Sequence, residues 1–405
     1  MVNKSLEFIR NLWIKARLKV PPSMQRTVIL CLHEVKEIVR LLGRPYLPVY
    51  QLQGRGQGGP LMVTYIGLEY ARPFLKSILF VKDPVEQQIG RIPFWRYDEL
   101  ANLSSGDMII VEATKHLIRK LPRQNAIVLP HYVHHILDVR GDWQDVRSRF
   151  HKSVRKNELR WIRKYGYEYD VSYDRQDFET FYHQMYLPTM DDRHGELSSP
   201  MSIHEAYQYF QHGWLFRVTR NGDWVSGVIC HLQQDVLMAD ILGVKDADTQ
   251  LVQQGATAAT YYAAIHWTNQ HEYSAVNFLG SVPYLRTGWF QHKRKWGVTV
   301  SVPPHLHRQI WIKVRRSTPV VSQFLKDNPC IVVDKDGKLH GLVIVDDPHN
   351  VSVETRKEWE KRYATPGLSS LLVRSLSYFS EEPTNDNDSD LVIPLPLGSS
   401  PGSGP

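Results

Sequence analysis

Apolar and polar residues alternate with period two over several stretches, and successive strand residues point to opposite faces. "LMVTYIGLEY" (61–70) is such a run, preceded by "QLQGRGQGGP" (51–60), whose four glycines read as a flexible loop. A phosphate-cradling glycine loop needs a strand before it and a helix after it, and here a strand follows. "DMIIVEA" (107–113) predicts another strand, "TKHLIRKL" (114–121) a helix, and "NAIVLPHYVHHILDV" (125–139) extended chain broken at Pro130. The first half is therefore mixed α and β.

In "GDWQDVRSRFHKSVRKNELRWIRKYG" (141–166) the period changes. Phe150, Val154 and Trp161 share one helical face with Leu159 and Ile162 close by, while Arg149, Lys152, Arg155, Lys156, Arg160, Arg163 and Lys164 take the other. That predicts one long basic amphipathic helix ending near Gly166. Beyond it "WLFRVT", "WVSGVICHL" and "VLMADILGV" are strands joined by "RNGD", with its hairpin-forming Asn-Gly pair, and by "QQD". They predict a three-stranded antiparallel meander. The loop "KDADTQLVQQG" then leads into the helix "ATAATYYAAIHWTNQ", whose Ala256, Ala259, Ala263 and Trp267 lie along one face, and "YSAVNFLG" is a further strand stopping at Gly280.

Composition narrows the class. The chain has 405 residues, 42% apolar and 22% charged, and suits two or three soluble domains. No run approaches the roughly 18 apolar residues that span a bilayer. The N-terminal stretch lacks the apolar core and cleavage site of a secretory signal, and it reads as a short basic amphipathic helix. Such a helix can pack on the protein or rest on an anionic membrane. Three widely separated cysteines, Cys31, Cys230 and Cys330, fit a reducing cytoplasm and exclude a disulfide framework. A net charge of +7 favours phosphate-bearing or otherwise anionic partners. The last residues are acidic and then rich in Pro, Gly and Ser, which predicts a disordered tail over 376–405.

Candidate chemistry gathers at two places. A glycine opening a helix exposes backbone N–H groups, so Gln253, Gln254, Gly255 and Ala256 can dock a pyrophosphate; the alternative is a plain helix breaker. "NFLGSVPYLRTGWFQHKRKWG" (277–297) packs glycines, aromatics and cations together and reads as a strand, a loop and a basic ending. His131, His134 and His135, with His305 and His307, raise a metal site, but adjacent strand histidines point apart and no cysteine or carboxylate completes a ligand set. No Gly-x-Ser-x-Gly elbow of a serine hydrolase is present.

The order of meander, Gln-Gln-Gly loop, small-residue helix and strand resembles the GNAT acyltransferase fold. Three stretches resemble its FemAB-like branch of aminoacyl- and acyltransferases: "HHILDVRGDWQDVRSRFHKSVRKNELRWIRKYGYEYDV", "FETFYHQMYLPTMDDRHG" and "VNFLGSVPYLRTGWFQHKRKWG". The last is the most specific, with Lys293, Arg294, Trp296 and Gly297 matching a Phe-Lys-x-x-Phe-Gly ending in which His292 and Trp296 replace the aromatics. The donor loop lacks the family's second glycine, and no coiled-coil insertion appears.

The resemblance implies an α/β (α+β) chain with tandem GNAT-like halves, each a mixed, largely antiparallel sheet flanked by helices. Residues 1–50 would be a helical segment, 51–165 the first half, 166–315 the second half with the donor cleft, and 316–375 an extension. It implies an N-acyltransferase moving an acyl or aminoacyl group to an amine of a sugar, peptide or nucleotide-linked envelope precursor. Acyl-CoA or aminoacyl-tRNA would be co-substrate, with no tightly bound cofactor and no metal. Lys293 would face the cleft and hold phosphate or the oxyanion, and Asp240 would serve as general base, its alternative being a strand-end carboxylate. Tyr284, Arg286, Arg193 and His194 would hold the acceptor, and Arg155 and Lys156 would form a phosphate-facing, substrate-binding ridge, each with a plain surface or loop role as alternative. The expected location is the cytoplasm, with contact to the inner membrane face left open. The competing reading is a nucleic-acid-binding protein with the basic helix and the HKRK cluster on one exposed stripe and Trp161, Trp289 and Trp296 stacking on bases.

Overall fold

The computed structural model describes residues 45–67, 69–96, 99, 106–194, 200–304, 306–379 and 391–395. In chain order it opens with β1 (Tyr46–Gly56), β2 (Gly59–Gly67), α1 (Arg72–Leu79), β3 (Val85–Pro93), β4 (Met108–Thr114), α2 (Lys115–Ile118) and β5 (Ala126–Pro130). Next come β6 (Val133–Asp138), α3 (Trp143–Arg149), α4 (Leu159–Lys164), β7 (Tyr167–Ser172), α5 (Arg175–Phe181), α6 (Leu187–His194) and α7 (Ile203–Gln211). The meander β8 (Trp214–Arg220), β9 (Asp223–Gln233) and β10 (Val236–Val244) precedes α8 (Thr249–Gln253), α9 (Ala256–Gln270), β11 (Ala275–Ser281) and α10 (Gly288–Arg294). The chain closes with β12 (Thr299–Ser301), β13 (Arg308–Val314), α11 (Pro319–Asp327), β14 (Cys330–Val333), β15 (Leu339–Val345), α12 (Val353–Tyr363), β16 (Ser370–Ser375) and β17 (Leu391–Pro394). The architecture is mixed α/β with three largely antiparallel sheets, as expected. Among the described residues no helix is long and apolar enough to cross a membrane.

The described chain divides into two compact units. A hairpin unit holds 45–133, 281–291 and 300–395; a meander unit holds 134–280 and 292–299. In the hairpin unit the six-stranded order is β3-β1-β2-β4-β13-β5. Its central strand β4 is buried throughout, because both sheet faces are covered. Ile110 packs with Leu75, Phe324 and Ile312 on one face, and Ile109 and Val111 pack with Trp311 on the other. A second sheet of this unit, β14-β15-β16-β17, carries its own core of Leu339, Val343, Leu371 and Ile393.

Several expectations change here. "QLQGRGQGGP" is a hairpin in which Gly56 pairs with Gly59 across a two-residue turn, because Gly58 at φ +100° supplies the reversal. Residues 308–314 belong to the hairpin unit, where β13 is inserted between β4 and β5, and 330–375 build its second sheet. The sequence boundaries at 165 and 315 therefore do not match the spatial units. Residues 391–394 form a strand within the stretch expected to be disordered, because Ile393 is buried opposite Leu371. Residues 46–50 lie in β1, whereas 1–44 of the expected helical segment fall outside the described residues.

The long basic helix is also interrupted. Helix α3 stops at Phe150, whose backbone is extended (ψ 142°), and a π-helical turn over Val154–Glu158 then feeds α4. Phe150 stays apolar and buried, edge-on to Trp143 and Trp296 with centroids 6.2 and 5.3 Å away. Packing of this one ring fixes where the helix breaks. Arg149 turns back to donate to the carbonyls of Asp138 (2.5 Å) and Arg140 (3.0 Å), so it leaves the basic face.

In the meander unit the sheet order is β12-β6-β11-β10-β9-β8-β7. Helix α9 covers one face, where Ala258, Ala259 and Ala263 let it approach Phe216, Val228 and Leu237. The other face packs on α5, the π-helical turn Tyr182–Tyr186 and α7 through Phe178, Met185, Phe210, Ile229 and Ile241. The turn after α10 needs Gly297, which sits at φ +77° with Arg149 O only 2.2 Å from where a Cβ would lie. Gly297→Ala should therefore lose about 1–3 kcal/mol or more of stability, read as a lowered midpoint in urea unfolding.

Candidate functional site

The parallel ladder between β10 and β11 holds only Val236–Met238 against Ala275–Asn277. Strand β10 runs on to Val244 and β11 to Ser281, so the two strands part beyond Asn277. Parted strands leave ladder N–H and C=O groups that need other partners. At the far end of β10, Thr189 of α6 supplies them: its hydroxyl accepts from Val244 N (2.8 Å) and donates to Val244 O (3.2 Å). Gly243 lets the π-helical turn come close, since a Cβ there would lie 2.6 Å from the Met185 carbonyl carbon. π-Turns inside helices are frequent at functional sites.

On the other wall, Leu279 takes φ +58° and turns the backbone at the end of β11. Lys293, in the last turn of α10, donates from Nζ to Phe278 O (2.7 Å) and Gly280 O (2.8 Å), with Leu279 O at 3.5 Å. Its position is set by the residue three further on: Trp296 is buried and stacked on Tyr261, with centroids 5.6 Å apart at 20°. Tyr261 in turn stacks on Phe278 at 4.4 Å. Burial lowers the Lys293 ammonium from 10.5 to about 7. Removing such a charge from water costs several kcal/mol, more than its carbonyl contacts return, so the buried ammonium holds its proton less tightly. Lys293 points into the protein, where its hydrogens go to backbone carbonyls. The oxyanion-holding role therefore gives way to a positioning one, because the ammonium already has its acceptors.

Asp240 stands at the parting. It is the extra residue of a β-bulge in β10, between Ala239 opposite Cys230 and Ile241 opposite Ile229. Its Oδ2 meets His231 Nδ1 in a short contact, with both side chains nearly fully buried. Burial, and after it the Asp240 charge, push the Cys230 thiol well up. His231 Nε2 is buried without a hydrogen-bond partner among the described residues. His231 was missed in the sequence: a two-residue turn pairs it with Met238, and only the bulge swings Asp240 onto it. On β11 the neighbouring Asn277 donates from Nδ2 toward His134 Nδ1 at 3.0 Å, while His135 is buried and its pKa driven well down by burial and then by Lys293.

The predicted pyrophosphate loop is built differently. Gln254 N–H donates to Gln250 O (2.9 Å) and Gly255 N–H to Val252 O (3.1 Å), so both close helix α8. Gly255, at φ +100°, is the joint between α8 and α9 and lies against Trp161. Gln254 accepts from Arg220, Gln253 is exposed, and Ala256 is buried with its carbonyl accepting from Ser226 (3.2 Å). The N–H groups of Gln254 and Gly255 are thus spent on closing α8.

Arg155 and Lys156 are exposed on the π-helical turn, with Arg160, Arg163 and Lys164 exposed beyond them. Arg193 and His194 close α6, and their side chains lie outside the described residues. Tyr284 and Arg286 belong to the hairpin unit and line a cavity there. Of the histidines raised for a metal, His131 takes Glu112 (3.2 Å) and His134 takes Asn277, while His305 falls outside the described residues. Trp296 is fully buried and Lys293 is turned into the protein, so neither joins an exposed basic stripe.

No family model and no curated protein matches the chain. Solved structures match more distantly. FemX shares 11% identity, with TM-score 0.36 over 64% of this chain and 83% of its own. The C-terminal domain of a putative lysylphosphatidylglycerol synthetase from Agrobacterium fabrum shares 10%, with TM-score 0.30 over 65% and 83%. A GCN5-related N-acetyltransferase from Sphaerobacter thermophilus shares 10%, with TM-score 0.29 over 63% and 73%.

Folding weakens the hold of Lys293 on its proton, so between about 7 and 10.5 the unfolded chain binds more protons than the native one. Stability should rise with pH across that window. Lys293→Met should flatten the rise, read from urea unfolding between about pH 6.5 and 9.5; equal slopes for both proteins would contradict the assignment.

Proposed function

We propose that the chain is an N-acyltransferase that passes an acyl or aminoacyl group from acyl-CoA or aminoacyl-tRNA to an amine of a sugar, peptide or nucleotide-linked envelope precursor. The parting of β10 from β11 is the observation that carries this reading. A donor arm bearing amides can pair with the strand edge that β11 leaves, as an added strand does. That lays its reactive carbonyl beside the bulge at Asp240.

The chemistry asks for a neutral amine, a base for its proton and a leaving group that departs with a proton. The amine nitrogen attacks the thioester or ester carbonyl, the amide bond forms, and the thiolate or ribose oxygen leaves. Asp240 takes the amine proton through Oδ1, while His231 holds Oδ2 and fixes the carboxylate. Lys293 keeps the Phe278–Gly280 carbonyls in place and so sets the width of the parting. The exposed cations Arg155, Lys156 and Arg160 suit the phosphates of a nucleotide or tRNA donor. The nucleic-acid-binding reading has less support, since Trp296 and Lys293 are withdrawn from the surface.

Thermal-shift titration with acetyl-CoA, longer acyl-CoAs and an aminoacyl-tRNA mimic tests the reading. A saturable rise with one names the donor, and no rise with any refutes it. With that donor, Asp240→Asn should lower kcat by about 10²–10⁴ with KM little changed. Unchanged kcat would remove Asp240 from the reaction.

A further inference from the structure

The hairpin unit contains a cavity of about 510 Å³ that no step of the proposed reaction uses. Its wall combines the loop carrying Arg286 and Thr287 with helix α11, which contributes Val320, Phe324 and Asp327, and with Asn328 just after it. Thr318 caps that helix and Pro319 opens it, so the wall is a fixed element.

The polar groups are arranged in a particular way. Arg286 donates from one terminal nitrogen to the main-chain carbonyl of Asp327 at 2.8 Å, and the same nitrogen is 3.7 Å from Asp327 Oδ1. The other guanidinium donors have no partner among the described residues. Asp327 Oδ2 accepts from Gln323 at 2.6 Å, which leaves Oδ1 as the oxygen paired at distance with Arg286. Asn328 gives one amide hydrogen to Phe324 O (2.8 Å) and keeps its carbonyl oxygen and its second N–H. Thr287 spends its hydroxyl hydrogen on Tyr284 O (2.9 Å) and keeps its lone pairs. The cavity thus offers one guanidinium fork beside a cluster of acceptors, over the apolar edges of Val320 and Phe324.

Arg286 and Asp327 are 43% and 38% exposed, and an ion pair that open and that long holds little energy. A ligand carrying both charges can replace it without leaving either side chain unpaired. A purely anionic ligand would satisfy Arg286 but face the carboxylate and two further acceptors. A purely cationic one would leave the fork empty.

We propose that this cavity binds a small zwitterion, an α-amino acid with an apolar side chain, whose carboxylate meets Arg286 and whose ammonium meets Asp327, Asn328 and Thr287. The side chain lies over Val320 and Phe324. The proposal is independent of the transfer reaction, so either can fail alone.

Calorimetric titration of the full chain with L-leucine and L-phenylalanine tests it, beside N-acetyl-L-phenylalanine, L-phenylalaninamide and inorganic phosphate. Saturable binding of at least one free amino acid is expected, with each blocked form weaker by about tenfold or more. Arg286→Gln and Asp327→Asn should each weaken the free amino acid by about tenfold or more at an unchanged unfolding midpoint. The blocked compounds are read on the unaltered protein, so they decide the matter even where a variant unfolds. No saturable binding by either amino acid, a blocked form binding as well as the free one, or binding of phosphate alone would overturn the proposal.

Discussion

The meander unit is organised by the failure of two parallel strands to stay paired. Strands β10 and β11 share three residue pairs and then separate, and every group around the opening answers to that separation. An unpaired buried backbone group costs about as much as a lost hydrogen bond, so a sheet opens only where something else takes over its ladder. Thr189 does so at the end of β10, and Lys293 does so at the end of β11. Both are side chains acting as substitute strands. The aromatic stack of Phe278, Tyr261 and Trp296 holds Lys293 in reach of its carbonyls. Chemistry at Asp240 depends on the same opening, since the bulge that turns its carboxylate onto His231 lies where β11 no longer constrains β10.

The hairpin unit handles a buried charge in another way. Glu112, on the fully buried strand β4, has no exposure at all. It accepts from Tyr65 and from Ala71 N–H (3.0 Å) at the start of α1, and His131 approaches its other oxygen at 3.2 Å. A carboxylate left without such partners would be strongly destabilising, so each of these contacts is required. The proximity of the negative charge raises the Tyr65 hydroxyl well above its usual range, with burial the larger cause. The two units differ here: Glu112 Oε2 has its donors assembled around it, whereas His231 Nε2 is buried without a hydrogen-bond partner among the described residues.

Much of the fold was readable from local pattern. Alternation in "WLFRVT", "WVSGVICHL" and "VLMADILGV" marks β8, β9 and β10, and the Asn-Gly pair marks their first turn. The small residues of α9 are legible in the sequence, but the helix is buried nearly all round, through Ala258, Ala264 and Thr268 as well as Ala256, Ala259 and Ala263. Where local pattern misled, a distant residue decided. The basic stretch 149–164 is amphipathic throughout, yet it breaks at Phe150 because that ring is buried against Trp296, far along the chain. "LVIP" sits within a polar tail, yet it forms β17 because β16 offers a partner edge.

Of the candidate site, residue identities were legible and directions were not. Asp240 and Lys293 were singled out by type and position, and both do sit at the walls of the parted strands. That Lys293 would meet carbonyls rather than open space depends on the kink at Leu279 and on the seat of Trp296. Gly255 was legible as a helix start, but that its N–H closes α8 depends on Val252 O lying in reach. Sequence alone determines period, turn chemistry and the supply of charge, because each depends on neighbours along the chain. Only the tertiary structure decides partners, since a hydrogen bond or a buried contact is made to whatever the fold brings near, at any separation in sequence.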